Sequence, residues 1–334
     1  MDRKQSHIEL ALQQAQSESP FDLVSLEHCA LPNYNFSDID IHTEFLNFQL
    51  HAPIMIGSMT GGTAEAAAIN QHLAEAAREC GIALGIGSQR ISLASKQCAG
   101  LDKRVRQWAG SAPLFGNVGL ANLIQWNEPD CLNKLAERIQ ANAMIIHLNP
   151  MQEIFQDRGD VDWAGSIECL ANSIAACNLP VIVKEVGMGL SPEVALQCIA
   201  AGAAAIDIAG SGGTRFIDIE GAMSAQGSRR QAAQTFKHWG ATTVSLLQRL
   251  QEVEVSVPII ASGGIRNGLD IAKSLALGAS MCSVAGAVLA AARVSTSSCV
   301  RVIEQLKFEL AIACWGTGCA KVGELSKCNV TEFI

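Results

Sequence analysis

From residue 53 onward, short β-branched runs alternate with longer Ala/Leu-rich amphipathic stretches. "PIMIG" (53–57), "IALGIGS" (82–88), "PLFGNVG" (113–119) and "AMIIHLN" (143–149) have the length and composition of strands, as do "PVIVKEVG" (180–187), "AAIDIAG" (204–210), "VPIIASGG" (257–264) and "SMCSVAG" (280–286). Between them, "NQHLAEAAREC", "DCLNKLAERIQ", "SPEVALQCIAA" and "GLDIAKSLALG" carry the helical period. Ser191-Pro192-Glu193 is a helix start, with Ser as N-cap and Pro in the first turn. Eight regularly spaced βα units without a break favour closure into a single (β/α)8 TIM barrel of the α/β class over an open doubly wound sheet. Residues 1–50 read as an N-terminal extension, with a helix around "HIELALQQAQ", then "LPNYNF" and an extended segment; residues 51–334 form the barrel. The longest irregular stretch, about 213–240, falls between the sixth and seventh strands, and loops of that length are often functional.

Composition sharpens this picture. The 334 residues are 49% hydrophobic but only 5% aromatic, so the core must be built from Ala, Leu, Ile and Val, which suits helices packed on a parallel sheet. A net charge of -8 gives no support for nucleic-acid binding across the surface, though it leaves room for a local basic pocket that takes an anionic small molecule. The twelve cysteines are scattered through apolar runs such as "MCSVAG" and "AIACWGTGC". With "MDRKQSH" at the start carrying no apolar signal segment and no candidate membrane span, they are expected to be thiols in a reducing cytoplasm. Cys314 and Cys319 in "CWGTGC" have the wrong spacing for a redox CxxC, and no paired CxxC suggests zinc.

Candidate chemistry gathers where barrel sites form, at the carboxyl ends of the strands. Nearly every strand ends in glycine or a polar residue: "GSMTGGT", "GIGSQR", "GNVG", "HLNPMQE", "KEVGMG", "AGSGGT", "ASGGIR" and "VAG". The last two turns, "SGGIRNG" (262–268) and "AGA" (285–287), could offer backbone N–H groups to a phosphate. Lys184 ends the fifth strand and needs an anion there, either a ligand or a carboxylate; Asp207 is the plausible carboxylate, since alternation turns it inward as well. On the fourth strand Met144, Ile146 and Leu148 share the outer face, while His147 and Asn149 face inward, followed by Gln152 and Glu153 on the loop. Glu153 is a hard oxygen ligand suited to Mg²⁺ held between protein and phosphate. Arg3, Lys4 and His7, together with Ser88, Gln89 and Arg90, could grip a diphosphate.

The ordered set "RKQSHIELAL", "PIMIGSMTGGT", "GIGSQR", "GNVG", "HLNPMQE", "VIVKEVGMGLS", "DIAGSGGT" and "ASGGIRNGLDIAKSLALGA" resembles type 2 isopentenyl-diphosphate isomerase over essentially the whole chain. "SMTGG", "GSQR" and "HLNPMQE" together separate that family from other flavin barrels such as the hydroxy-acid oxidases. The resemblance implies non-covalent FMN, active in its reduced form, lying along Ser58, Met59 and Thr60 and joined by Ser88, Asn117, Lys184 and Thr214. Gly263, Gly264, Ile265 and Arg266, with Ala285 and Gly286, would hold the FMN phosphate. Isopentenyl or dimethylallyl diphosphate would be bound by Arg3, Lys4, His7, Ser88, Gln89 and Arg90, with His147, Asn149 and Gln152 nearby. Gln152 and Lys184 would be catalytic, Glu153 would take Mg²⁺, NADPH would reduce the flavin, and the chain would assemble as a tetramer or octamer. The family's long loop commonly continues as "GGTSW" where this chain has "GGTRF", so Arg215 and Phe216 mark a departure in the lid. The competing activity on such a barrel, FMN-dependent oxidation of a hydroxy acid, needs a His base and Arg residues gripping a carboxylate. The last two strand turns contain no such His motif.

Overall fold

In the computed structural model, which describes residues 3–14, 19–94 and 98–332, eight parallel strands close into a barrel. They are β1 (Ile54–Ile56), β2 (Ala83–Gly85), β3 (Leu114–Gly119), β4 (Ala143–Leu148), β5 (Val181–Glu185), β6 (Ala205–Asp207), β7 (Ile259–Ser262) and β8 (Met281–Val284). β8 pairs with β1 through Cys282–Ile54, Ser283–Met55 and Val284–Ile56, which leaves no edge. All eight runs expected from the hydrophobic pattern are present, in the expected order.

Side-chain alternation divides the core in two. Met144 and Ile146 on β4 pack outward beneath the helices in the larger cluster, with Ile54, Ile56, Val181, Val183 and Ile206. Ala143 and Ile145 point inward and meet Met55, Phe115, Ile182, Ile260 and Met281 in the barrel interior. The amino end of that interior is plugged by a hairpin, Thr43–Phe45 with Phe48–Leu50. Its two turn residues, Leu46 and Asn47, both have positive φ (48° and 67°), the backbone of a tight twisted turn. Phe45 and Leu50 are buried against the interior cluster, and the Phe45 and Phe115 rings lie 6.4 Å apart. The hairpin fills the space that an isolated barrel of short strands would leave open to water.

The rest of the N-terminal segment serves the opposite end. The helix Arg3–Gln14 buries Ile8 in the main core and lies near the helices Phe216–Met223 and Gly286–Ala292 at the carboxyl rim. The strand Val24–Leu26 pairs antiparallel with the C-terminal strand Val330–Glu332. Just before it, Pro20 sits so close to Gly212 and Gly264 that a Cβ on either glycine would lie within 2.8 Å of the proline ring. The expected helix start at Ser191 is present: its hydroxyl accepts from Val194 N, with Pro192 in the first turn.

Phe115 is fully buried where the plug meets the barrel. Phe115→Ala is expected to cost about 3–5 kcal/mol in unfolding free energy, read as a lower denaturant midpoint with an unchanged m-value.

Candidate active site

The barrel register places Gly119 of β3, His147 of β4, Lys184 of β5 and Asp207 of β6 on one rung near the carboxyl end. Lys184 Nζ lies 3.2 Å from Asp207 Oδ2 and donates to Ser262 Oγ (3.3 Å) and to the carbonyl of Glu185 (3.0 Å). Ser262 Oγ donates in turn to Asp207 Oδ1, which also accepts from Ala209 N at 3.2 Å. Of the two anions the sequence allowed for Lys184, the protein supplies the carboxylate. His147 Nδ1 is 2.7 Å from Asn117 Oδ1. An amide oxygen only accepts, so Nδ1 carries the proton and Nε2 keeps its lone pair. Burial, reinforced by the charges of Lys184 and Arg90, pushes the imidazole pKa down to about 4, so the ring is neutral at physiological pH.

Beyond β4 the chain turns into the helix Pro150–Phe155, which carries Gln152 and Glu153 on its first turns. Asn149 Nδ2 donates to Gln152 Oε1 (3.2 Å) and to Glu153 Oε1 (2.8 Å), and Glu153 Oε2 accepts from Asp160 N (2.9 Å). The far end of the Gln152 amide donates to Glu220 Oε1 at 3.1 Å. Glu220 is buried on Phe216–Met223, and His7 Nε2 comes within 3.3 Å of the same oxygen, without hydrogen-bond alignment. Gln152 is thus a neutral amide held between a buried asparagine and a buried carboxylate, and that carboxylate comes from the lid. Sequence reasoning missed Glu220. The available signal was an acid set in "FIDIEGAM", whose neighbours Ile217, Ile219 and Gly221 are all buried.

The lid is built on its own small apolar nucleus. Ile217 and Ala233 pack with Phe155 and Met188, and the second lid helix spans Gly227–Thr235. The departure at "GGTRF" is put to use here. Arg215 Nε lies 3.2 Å from Asp218 Oδ2, its Nη2 donates to the carbonyl of Phe236 (3.3 Å), and its backbone exchanges two hydrogen bonds with the Gln14 side chain (2.8 and 3.4 Å). Phe216 presents its ring to His7 in an edge arrangement at 6.2 Å.

A second missed residue is Glu185, the last residue of β5. Its Oε2 accepts from the N–H groups of Val186, Gly187 and Met188, each at 2.6 Å, and of Gly189 at 3.0 Å, so one carboxylate winds the whole following turn. Burial raises its pKa, and the backbone donors oppose that rise. The wound turn packs directly on the next loop, because a Cβ at Gly187 would lie 2.6 Å from the carbonyl of Thr214.

The expected phosphate turns meet one another closely. Gly263 and Gly264 have φ of +95° and +84°, and a Cβ on Gly263 would fall 1.9 Å from the carbonyl of Gly210. Arg266 Nη2 donates to Gly212 O (3.3 Å), while its own N–H is taken by Asp270 Oδ2 (2.9 Å). Ile265 is buried beneath this turn. Gly286 starts the helix after β8 from Ala285 as N-cap, with open space where a side chain would stand. On the far side of the mouth Met59 packs on the core, Thr60 is buried, and Ser58 Oγ is buried without a hydrogen-bond partner. Ser88 is half-buried and Arg90 is exposed beside it. Arg3 and Lys4 begin the N-terminal helix, but their side chains lie outside the described residues.

One residue leaves the substrate set. Gln89 is fully buried, donates to Leu135 O (3.0 Å) and accepts from Asn117 N (3.1 Å). Its amide is spent on fixing β3, where Gly116 leaves room for it, and it cannot reach a ligand in the mouth. No group of three or more His, Cys, Asp or Glu side chains among the described residues is arranged to hold a metal unaided.

Comparison with known proteins agrees with this geometry. The FMN-dependent dehydrogenase family matches residues 98–332. The isopentenyl-diphosphate delta-isomerase of Vibrio parahaemolyticus is 45% identical over 329 residues, covering 97% of each chain, and that of Pseudescherichia vulneris is 42% identical over 98% of this chain and 96% of its own. Among solved structures, a lactate oxidase of Pediococcus acidilactici superposes with a TM-score of 0.69 at 20% identity, over 99% of this chain and 90% of that one. A mandelate oxidase gives 0.66 at 17% identity, over 100% and 95%. The protein is an FMN-dependent (β/α)8 enzyme by class. Within that class the chain belongs to the isopentenyl-diphosphate delta-isomerase family.

The neutral His147 makes a pH prediction. Its pKa in the folded chain, about 4, lies below the ordinary 6.5, so between those values the unfolded chain binds more protons. Its contribution to stability is complete above about 6.5 and is lost as pH falls toward 4. Denaturant unfolding across that window should show the loss, and His147→Gln should flatten it.

Proposed function

We infer that this chain converts isopentenyl diphosphate to dimethylallyl diphosphate, moving the double bond from the 3,4 to the 2,3 position in isoprenoid biosynthesis. The observation that carries the reading is Gln152, suspended between Asn149 and Glu220 at the mouth of a barrel whose inner rung presents Lys184 and a neutral His147. The constellation that a hydroxy-acid oxidase needs, a His base with arginines around a carboxylate, has no counterpart in the turns after β7 and β8. The likeness to the oxidases is one of fold.

The residues fit FMN. Ser58 Oγ is an orphaned buried hydroxyl, the Gly263-Gly264 turn brings backbone close, Gly286 leaves its surroundings open, and Lys184 supplies a positive charge. Thr214, in the loop after β6, and Asn117, on β3, would complete the set. Held by these residues, reduced FMN would supply acid–base chemistry for moving the double bond, with no net redox change. Lys184, held by Asp207, would place its ammonium group to stabilise negative charge on the reduced ring. Gln152, a poor acid itself, orients the hydrocarbon and polarises the reacting end, with Glu220 fixing its amide. Arg90 and His7 receive the diphosphate together with Arg3 and Lys4, with His147 nearby.

Glu153 and Asn149 suit Mg²⁺ as a partner of the diphosphate. Asn149 Oδ1 is buried without a hydrogen-bond partner beside the Glu153 carboxylate, and Mg²⁺ takes few protein oxygens when phosphate supplies the others. NADPH as the reductant of the flavin, a cytoplasmic location and assembly into a tetramer or octamer belong to the same proposal. Exposed Leu31, Phe308 and Trp315 support self-association.

The test is the absorbance spectrum of the purified protein under anaerobic NADPH, followed by isopentenyl diphosphate and product analysis. A flavin band that bleaches, with dimethylallyl diphosphate formed in the same cuvette, is expected. Absence of flavin, or conversion of a 2-hydroxy acid without alkene isomerisation, would overturn the reading. Gln152→Ala should lower kcat by about 10²–10³ with flavin content unchanged. Lys184→Ala should weaken flavin binding itself, checked by titration with FMN alongside circular dichroism.

A further inference from the structure

Outside the barrel mouth, the C-terminal segment brings two thiols into contact. Cys319 follows the long helix Thr296–Gly316, Cys328 ends the 3-10 helix Val322–Lys327, and their sulfur atoms lie 3.4 Å apart. A disulfide needs about 2.05 Å, so the sulfurs must approach by only about 1.3–1.4 Å. The intervening turn is already fixed: Glu324 Oε2 accepts from Ala320 N (2.8 Å) and Lys321 N (3.1 Å), and Cys328 N donates to Leu325 O (3.0 Å). Two other thiols are close by. Cys314, fully buried, gives its carbonyl to Cys319 N (2.9 Å), and the Cys29 sulfur lies against Gly318. The direct sulfur–sulfur contact is that of Cys319 with Cys328.

We propose that Cys319 and Cys328 are a redox modification site, joined by hydrogen peroxide into a reversible disulfide that staples the C-terminal strap of the protein. Cys328 is the more accessible of the two and reacts first. Its thiolate attacks one peroxide oxygen, giving Cys328–SOH and hydroxide, and the Cys319 sulfur then displaces the sulfenic oxygen as water. Two thiols lose two electrons and two protons in all, and one peroxide is reduced to two waters. Burial holds the Cys319 thiol up at about 11, which makes the second step slow at neutral pH and faster as pH rises.

The strap matters because of what it holds. Two residues past Cys328, Val330–Glu332 pairs with Val24–Leu26, and that strand continues directly from Pro20, the residue wedged against Gly212 and Gly264. A staple at Cys319–Cys328 therefore restrains the last segment of the chain and, through it, the N-terminal strand that abuts the glycine turns.

The full-length protein as purified is treated with hydrogen peroxide, its remaining thiols are alkylated, and it is digested without reductant. The expected result is a Cys319–Cys328 cross-link two hydrogens lighter than the thiols, faster to form at pH 9 than at pH 7 and removed by dithiothreitol. Amide hydrogen exchange at Val24–Leu26 and Val330–Glu332 should slow by about tenfold on oxidation. Cys328→Ser should abolish both effects. Cys319→Ala should do the same, and the mass of the unmutated protein decides the matter even if either variant folds poorly. Over-oxidation of Cys328 without a cross-link, a cross-link to Cys29 or Cys314, or a cross-link that leaves strand exchange unchanged would overturn the proposal.

Discussion

The barrel mouth depends on one buried ion pair. Lys184 and Asp207 sit on adjacent strands of the same rung, both withdrawn from water, and Ser262 of the next strand binds both of them. Removing one partner of such a pair leaves the other charge uncompensated, at a cost of roughly 3–5 kcal/mol. That penalty fixes the positions of β5, β6 and β7 where their turns begin. It also sets the electrostatics next door: the Lys184 charge, after burial itself, is the largest influence keeping His147 neutral. The rung thus holds the Lys184 side chain beside an uncharged imidazole whose tautomer is dictated by Asn117.

From this rung outward, each polar group is positioned by the next. Asn149 reaches both Gln152 and Glu153, Gln152 reaches Glu220, and Glu220 belongs to a lid tied to the N-terminal helix through Gln14 and Arg215. Displacing the lid therefore means breaking the Gln152–Glu220 hydrogen bond and exposing a buried carboxylate. A site of this kind is complete only while the N-terminal helix is docked, which gives a physical reason for the apolar face of Ile8, Ala11 and Leu12 that packs on the core. Arg215 shows how a departure from a family's usual sequence can be absorbed: its guanidinium finds Asp218 and the carbonyl of Phe236, both within the lid itself.

Much of the architecture was legible because its signals are periodic. All eight strands, the inward parity of Asp207 and the division of β4 between Met144/Ile146 and Ala143/Ile145 follow from alternation and spacing alone. What escaped the sequence is non-local. Nothing in "EGAM" says that Glu220 will meet Gln152 across 68 positions, and nothing in "KEVGMG" says that one carboxylate will take four backbone N–H groups. Gln89 failed for a related reason: its position at a strand end suggested a ligand contact, but the gap at Gly116 lets its amide fold back onto β3. Nor does spacing say that the hairpin of residues 43–50 plugs the amino end of the barrel while the N-terminal helix lies at the carboxyl end.

The oxidases that share this fold place the same physical question in a sharper light. A closed parallel barrel with glycine-rich carboxyl turns offers a flavin a phosphate cradle whatever chemistry follows. The reaction is then decided by the few groups set over the ring. An oxidase acting on a hydroxy acid must hold a charged carboxylate and remove a proton with a basic imidazole. Here burial and the neighbouring charges push the imidazole pKa down to about 4, which makes it a weak base, and the group at the mouth is an amide that cannot titrate. Alkene isomerisation needs neither a charged grip on the reacting carbons nor a base stronger than the cofactor, and it does need water excluded from a cation-like transition state. The lid's apolar nucleus of Phe155, Met188, Ile217 and Ala233 packs on the helix that carries Gln152.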